Sequence, residues 1–167
     1  MPHTMGIIRN WHDLNAFEIV RHPWFVSAFL AGGLAQFIKF VRALRRTSRV
    51  DLSHLSASGG MPSAHSSLVS ALAAAVALTD GFDSPTAMIA VGFATITIAD
   101  AVSIRREAGE HAALLNRISK RLGEIAPFEA NRLDESLGHT RREALAGAVF
   151  GVLVAVAVCG VWDFWKR

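Results

Sequence analysis

Four apolar runs, joined by short or strongly basic connections, limit what this chain can fold into more than any other feature. They cover residues 23–38 ("PWFVSAFLAGGLAQFI"), 66–79, 85–99 ("PTAMIAVGFATITIA") and 144–162 ("ALAGAVFGVLVAVAVCGVW"). In hydrocarbon every backbone N–H and C=O must be satisfied within the segment, so such runs fold as helices. Only the last approaches the ~20 residues that cross a bilayer comfortably. The other three reach that length by drawing in flanking polar residues that snorkel or line a cavity. A soluble bundle would need polar helix faces, and with 51% apolar residues in 167 the chain has few to offer. The expected fold is therefore all-α: an integral membrane helical bundle of about four transmembrane helices, forming one domain over residues 1–167.

Small residues supply the expected packing. Gly32, Gly33, Gly92 and the Gly147-xxx-Gly151 pair mark places where helices can approach closely. Between the third and fourth runs lies a polar stretch in which Ala112, Leu115, Ile118 and Leu122 recur at helical spacing. That pattern predicts an amphipathic interfacial helix, "EHAALLNRISKRLG", along the membrane or over the bundle mouth. Pro127 ends any continuation of it. The lone Cys159 gives no disulfide framework, and no cleavable signal is expected in "MPHTMGIIRNWHDL".

Four spans place the connections at 41–61 and 105–142 on one side and "DGFDSP" with both termini on the other. Of the 17 Lys and Arg residues, only Arg9, Arg21, Lys166 and Arg167 fall on the second side, which leaves thirteen on the first. The positive-inside rule makes the rich side cytoplasmic, with a bacterial inner membrane as the expected location. "KFVRALRR", "GGMPSAHS", "DAVSIRR" and "LGHTRRE" then share one face.

Those strings contain the parts of a phosphate site. A helix N-terminus offers free N–H groups and a positive dipole end, and glycine lets backbone approach an anion. Gly60 fits that supporting role, with Ala64 in the cradle and Ser63 as a hydroxyl donor. The lysine and several arginines of these strings can clamp phosphate oxygens and oppose developing charge. A neutral histidine can attack phosphorus while a second protonates the departing alkoxide. His139 suits the first role, with Glu143 four residues on to orient it from the same face of a helix starting near Gly138. His65 suits the second. Asp100, near the end of the third run, is expensive in lipid unless paired with Arg105, Arg106 or Lys39. No metal site and no cofactor are expected.

These residues resemble the type 2 phosphatidic acid phosphatase superfamily, which also contains the vanadium haloperoxidases, and most closely its divergent bacterial and plant branch. Lys39 with Arg46 matches the Lys-x6-Arg-Pro motif, with Thr47 in place of proline. Pro62-Ser63-Ala64-His65 matches Pro-Ser-Gly-His with alanine for glycine. His139-x3-Glu143 matches the end of Ser-Arg-x5-His-x3-Asp with glutamate for aspartate. Leu133 stands where that motif has arginine, and Arg105 or Arg106 is the expected substitute. The resemblance covers most of the chain from Lys39 onward. It implies a membrane phosphatase that hydrolyses a lipid or isoprenoid phosphate monoester through a phosphohistidine on His139. His65 would be the general acid, and Lys39, Arg46, Ser63 and one of Arg105/Arg106 would hold the phosphate.

Plainer readings stand beside this one. The same cradle would serve a non-catalytic membrane protein that binds phosphate or anionic headgroups, and Asp100 alone points to a small transporter. His3, His12, His22 and His54 have no constellation. Arg42, Arg45 and Arg49 read as headgroup contacts and topology signals. His111 and Asn116 are candidate headgroup contacts, and Asp134 and Glu135 read as turn caps. Expected partners are the bilayer and a lipid or polyprenyl phosphate, with no nucleic acid and with a homo-oligomer left open.

Overall fold

The computed structural model describes residues 16–47, 60–123 and 132–166. Every regular element in them is a helix: α1 (Ala16–Arg21), α2 (Pro23–Thr47), α3 (Ala64–Asp80), α4 (Pro85–Val102), α5 (Ile104–Gly123) and α6 (Arg141–Lys166). His3, His12, His54, Arg49 and Pro127 lie outside the described residues, as does the side chain of Arg46.

Local chemistry sets the helix starts. Pro23 opens α2, with His22 Nδ1 accepting the Trp24 N–H at 3.4 Å. Ser63 caps α3, and Ser84 with Pro85 at the first helical position opens α4. These are the residues that satisfy the orphan N–H groups of a first turn without continuing the helix backward.

α3 is the central helix. α2, α4 and α6 all pack on it, and Ala71 and Ala75 are completely buried. Its side chains are mostly alanine and serine because a helix enclosed on several sides must be apolar all round and slim. At 17 residues it is about 26 Å long, a little short of a ~30 Å hydrocarbon core. The surrounding helices include three runs long and apolar enough to cross a membrane, Pro23–Arg45, Pro85–Gly123 and Arg141–Trp165. Their outer faces carry exposed Phe29, Phe37, Ile89, Phe93, Ile96, Leu145 and Leu153. That inversion, with alanine inside and large apolar side chains outside, is what a bilayer solvent selects. The bundle is a membrane helical bundle.

α6 crosses α3 through the expected glycine pair. A Cβ on Gly147 would stand 2.5 Å from the Ser63 carbonyl oxygen, and one on Gly151 would collide with the Ser67 carbonyl. Gly32 also meets α3, at Leu68. Gly33 and Gly92 do not mediate close approach: the space above both is open, because each lies on a face turned away from the core.

α5 begins at Ile104, one residue after α4, so the amphipathic helix starts six residues earlier than its sequence pattern suggested. Ser103 makes the break, with backbone angles of −114° and −79°. The segment 132–139 then runs along α5. Asn116 binds the Leu133 N–H and carbonyl and the Glu135 carboxylate at 2.8–3.0 Å. Asn116 is thus a structural tie rather than a headgroup contact. Asp134 accepts from both the N–H and the hydroxyl of Ser136, the turn-capping role expected of it.

Candidate active site

One end of the bundle gathers the C-terminal ends of α2 and α4 with the N-terminal ends of α3 and α6. The Ser63 N–H donates to the Glu143 carbonyl at 3.2 Å, which joins α3 to α6. The His139 N–H donates to the Ala101 carbonyl at 2.9 Å, which joins the segment before α6 to α4. Arg42 Nη1 donates to the Met61 carbonyl at 2.9 Å, which ties α2 to the turn before α3. At the opposite end the Trp24 indole donates to Thr79, so α2 and α3 are antiparallel neighbours along their length.

The start of α3 is held by an all-serine cap. The Ser63 hydroxyl accepts from the Ser66 N–H at 3.3 Å and from the Ser66 hydroxyl at 3.0 Å, and Ser63 is fully buried. Both contacts use Ser63 as an acceptor, which leaves its own O–H to donate, from a residue with no exposed surface. The first-turn N–H groups of Ala64 and His65 lie beyond that cap, and the His65 side chain is exposed. Gly60 has φ +95°, and a Cβ on it would touch the Lys39 side chain at 3.4 Å, so the turn lies directly over Lys39.

His139 and Glu143 do not share a helix face. Gly138 at φ +88° turns the chain, Thr140 caps, and α6 begins only at Arg141. The Glu143 carboxylate accepts the Thr140 N–H at 2.8 Å while the Thr140 hydroxyl accepts the Glu143 N–H at 3.3 Å. This reciprocal pair is a capping box, and the sequence "TRRE" carries its Thr-x-x-Glu signature. The 140–143 spacing thus prevails over the 139–143 spacing that it overlaps. Glu143 still acts on His139 through space, as the charge that favours the imidazolium.

His139 is buried, and its Nε2 has neither solvent contact nor a protein partner among the described residues. Burial pushes its pKa below the ordinary histidine value. The positive charges of Lys39, His65 and Arg105 push the same way, against Glu143. The ring is thus held neutral near pH 7, which is the form of imidazole that carries a nucleophilic lone pair. Lys39 and Arg105 act electrostatically on His65 as well, and Glu143 acts on Lys39. Lys39, His65, Arg105, His139 and Glu143 therefore form one electrostatic cluster.

The two candidate arginines separate. Arg105 Nε pairs with Asp100 Oδ2 at 2.7 Å, which reaches back across the Ser103 break, and its charge acts on both histidines. Arg106 Nε instead pairs with Glu110 at 3.1 Å along its own helix. Asp100 has the partner its position demanded. No group of His, Cys, Asp and Glu among the described residues has the arrangement to hold a metal ion.

Gly138 closes the arrangement. A Cβ there would collide with the backbone of Arg106, and one on Gly109 would stand 2.7 Å from the Leu137 carbonyl. The sequence alone gave Gly109 no role, placed Gly138 only near a helix start, and made Arg42 a headgroup contact. Here the two glycines seat the 132–139 segment and Arg42 holds the turn before α3. Their signal is a glycine or arginine whose purpose emerges only once distant helix ends meet.

Fold and cluster together define a helical membrane protein with a histidine–cation cluster at one end of its bundle. Residues 20–154 match the Divergent PAP2 family, and the chain belongs to that family. It is similar to YuiD, an uncharacterized membrane protein of Bacillus subtilis, with 33% identity over 152 residues, covering 84% of this chain and 96% of the relative. No solved structure matches it.

Proposed function

We propose that the chain is a metal-independent phosphomonoesterase acting on a lipid or isoprenoid phosphate at a cytoplasm-facing site. The observation that carries this reading is His139: a buried, neutral imidazole whose Nε2 is unpartnered, surrounded by Lys39, Arg105 and His65. A buried polar atom without a partner costs about 1–3 kcal/mol, so its retention calls for a use. In the proposed reaction Nε2 attacks phosphorus and the phosphorus–alkoxide bond breaks. His65 gives its proton to the leaving alkoxide. Water then attacks the phosphohistidine, with His65 taking the water proton, and inorganic phosphate leaves from a restored His139.

Lys39 and Arg105 oppose the charge on the phosphoryl oxygens, with Arg105 aimed by Asp100 and filling the place of the motif arginine. The backbone N–H groups of Ala64 and His65 supply the helix-end contribution beside the Ser63 hydroxyl. Arg46 is retained as a phosphate contact by its motif position, and Arg106 becomes the weaker candidate. An apolar groove of about 490 Å³ between α3, α4 and α6, lined by Ala74, Ile98 and Val152 among others, suits an amphiphilic substrate.

The burial of His139 favours a second reading, in which the cluster binds a phosphate group without cleaving it. Purified protein in mild detergent, assayed for phosphate release from phosphatidate, phosphatidylglycerophosphate and polyprenyl phosphates, separates the two. Release from at least one, lost in His139→Ala and inhibited by vanadate, supports the enzyme. Binding without release across the panel assigns the second reading.

A further inference from the structure

α5 carries a stripe, apolar but for His111 at its middle, that none of the described residues covers. Ile104, Ala108, His111, Leu115, Ile118 and Leu122 succeed one another at alternating spacings of four and three, and all six are exposed. That alternation is the seam of a two-helix coiled coil, because it keeps one line of side chains facing a neighbouring helix. The stripe is separate from the face α5 uses within its own chain. Gly109, Ala112 and Asn116 lie on that other face, where the 132–139 segment is bound.

Charge fixes the partner and its direction. On the flank of the stripe away from the bound segment stand Glu107, Leu114 and Arg121, each seven residues from the next. Set against a second copy in antiparallel sense, Ile104 meets Leu122, Ala108 meets Ile118 and His111 meets Leu115. In that register Glu107 faces Arg121 of the second copy, Arg121 faces its Glu107, and Leu114 faces Leu114 near the two-fold axis. A parallel pair would set Glu107 against Ala112, on the flank already taken by residues 132–139. Neither Glu107 nor Arg121 takes part in an ion pair among the described residues. A bilayer surface could cover the stripe too, and the net positive charge of α5 would draw anionic headgroups, but neither would set Glu107 opposite Arg121.

We propose that α5 is a self-recognition surface through which two copies of the chain pair antiparallel, with the two-fold axis along the membrane normal. The test uses the full chain in its membrane, with Cys159→Ala as background and Leu114→Cys as the reporter for a short bismaleimide. Arg117→Cys, on the far side of α5, is the control. Leu114→Cys is expected to give dimer well above the control. Glu107→Arg should lower that yield by roughly fivefold, the equivalent of two exposed ion pairs, and adding Arg121→Glu should restore it. Equal yields at the two cysteines would overturn the proposal, as would indifference to charge reversal. So would labelling of Leu114→Cys by a lipid-confined maleimide without dimer, which would assign the stripe to the bilayer. Glu107, Leu114, Arg117 and Arg121 are exposed while Cys159 is buried, so gel filtration of each variant, the Cys159→Ala background included, checks that the fold is intact.

Discussion

Gly147→Ala tests the geometry that brings the helix ends of the proposed site together. The new Cβ would lie 2.5 Å from the Ser63 carbonyl oxygen and 3.0 Å from the Ser66 Cβ, where ordinary contact starts at 3.4 Å. Relief requires α6 to retreat from α3 by about 0.9 Å, since both obstacles are on a capped, packed helix start. The 3.2 Å bond from the Ser63 N–H to the Glu143 carbonyl would then be stretched past any useful length. Overpacking strain of about 1–3 kcal/mol and a lost hydrogen bond of about 1 kcal/mol oppose a helix-propensity gain of about 1 kcal/mol. The net expectation is a loss of about 1–3 kcal/mol, with phosphate release falling further than stability because α6 carries Glu143 away from His139, which the Ala101 carbonyl holds in place. Gly92→Ala, whose Cβ meets nothing, serves as the control and should be neutral or slightly stabilising. Unfolding by denaturing detergent, monitored by helix signal, reads both variants. A Gly147→Ala protein as stable as Gly92→Ala, with unchanged turnover, would refute the crossing and the coupling of the site to it.

Under the proposed reaction, which needs the neutral ring, the depressed pKa of His139 should set the acid limb of activity below the ordinary value near 6.5. Glu143→Gln keeps the capping box but removes the charge that raises this pKa, so the acid limb of the kcat/KM profile should move to lower pH; movement upward would count against the assignment. The sign for stability agrees: above about 6.5 both states hold a neutral ring, and below it the unfolded chain takes the proton first, so the folded state weakens as pH falls. Arg105→Ala should cost roughly a hundredfold in kcat, the scale of one transition-state charge contact, while Arg106→Ala should cost far less; steady-state kinetics of the pair decides between them. Asn116→Ala removes the three hydrogen bonds that hold the 132–139 segment and should loosen it by about 1–3 kcal/mol, seen as faster amide exchange in that segment without change in α3.

The membrane bundle was legible because bilayer solvation leaves a coarse mark on sequence: uninterrupted apolar runs, and lysine and arginine crowded on one side. The Gly147–Gly151 crossing was legible for a similar reason, since only small residues let backbones touch. Gly33 and Gly92 misled because a glycine's absence of side chain looks the same whether it faces a helix or lipid. The histidine–cation cluster was read from motif spacing, but the geometry around it was not. Glu143 had two local uses, orienting His139 or capping α6, and the nearer backbone N–H took it. The choice between Arg105 and Arg106 depended on the one-residue break at Ser103, which lets Arg105 fold back to Asp100 and leaves Arg106 to Glu110. Nothing in a linear pattern records such a break.

The tight meeting of Gly138 with the Arg105–Arg106 backbone has a mechanical consequence. The segment is fastened to the α4–α5 junction at three levels: Asn116 to Leu133, Gly109 against Leu137, and the Ala101 carbonyl to the His139 N–H. With no slack at Gly138, a tilt of α5 cannot leave His139 behind. α5 is therefore a lever whose short arm ends at the proposed nucleophile, and a load on its exposed stripe would be felt as a change in the aim of an imidazole.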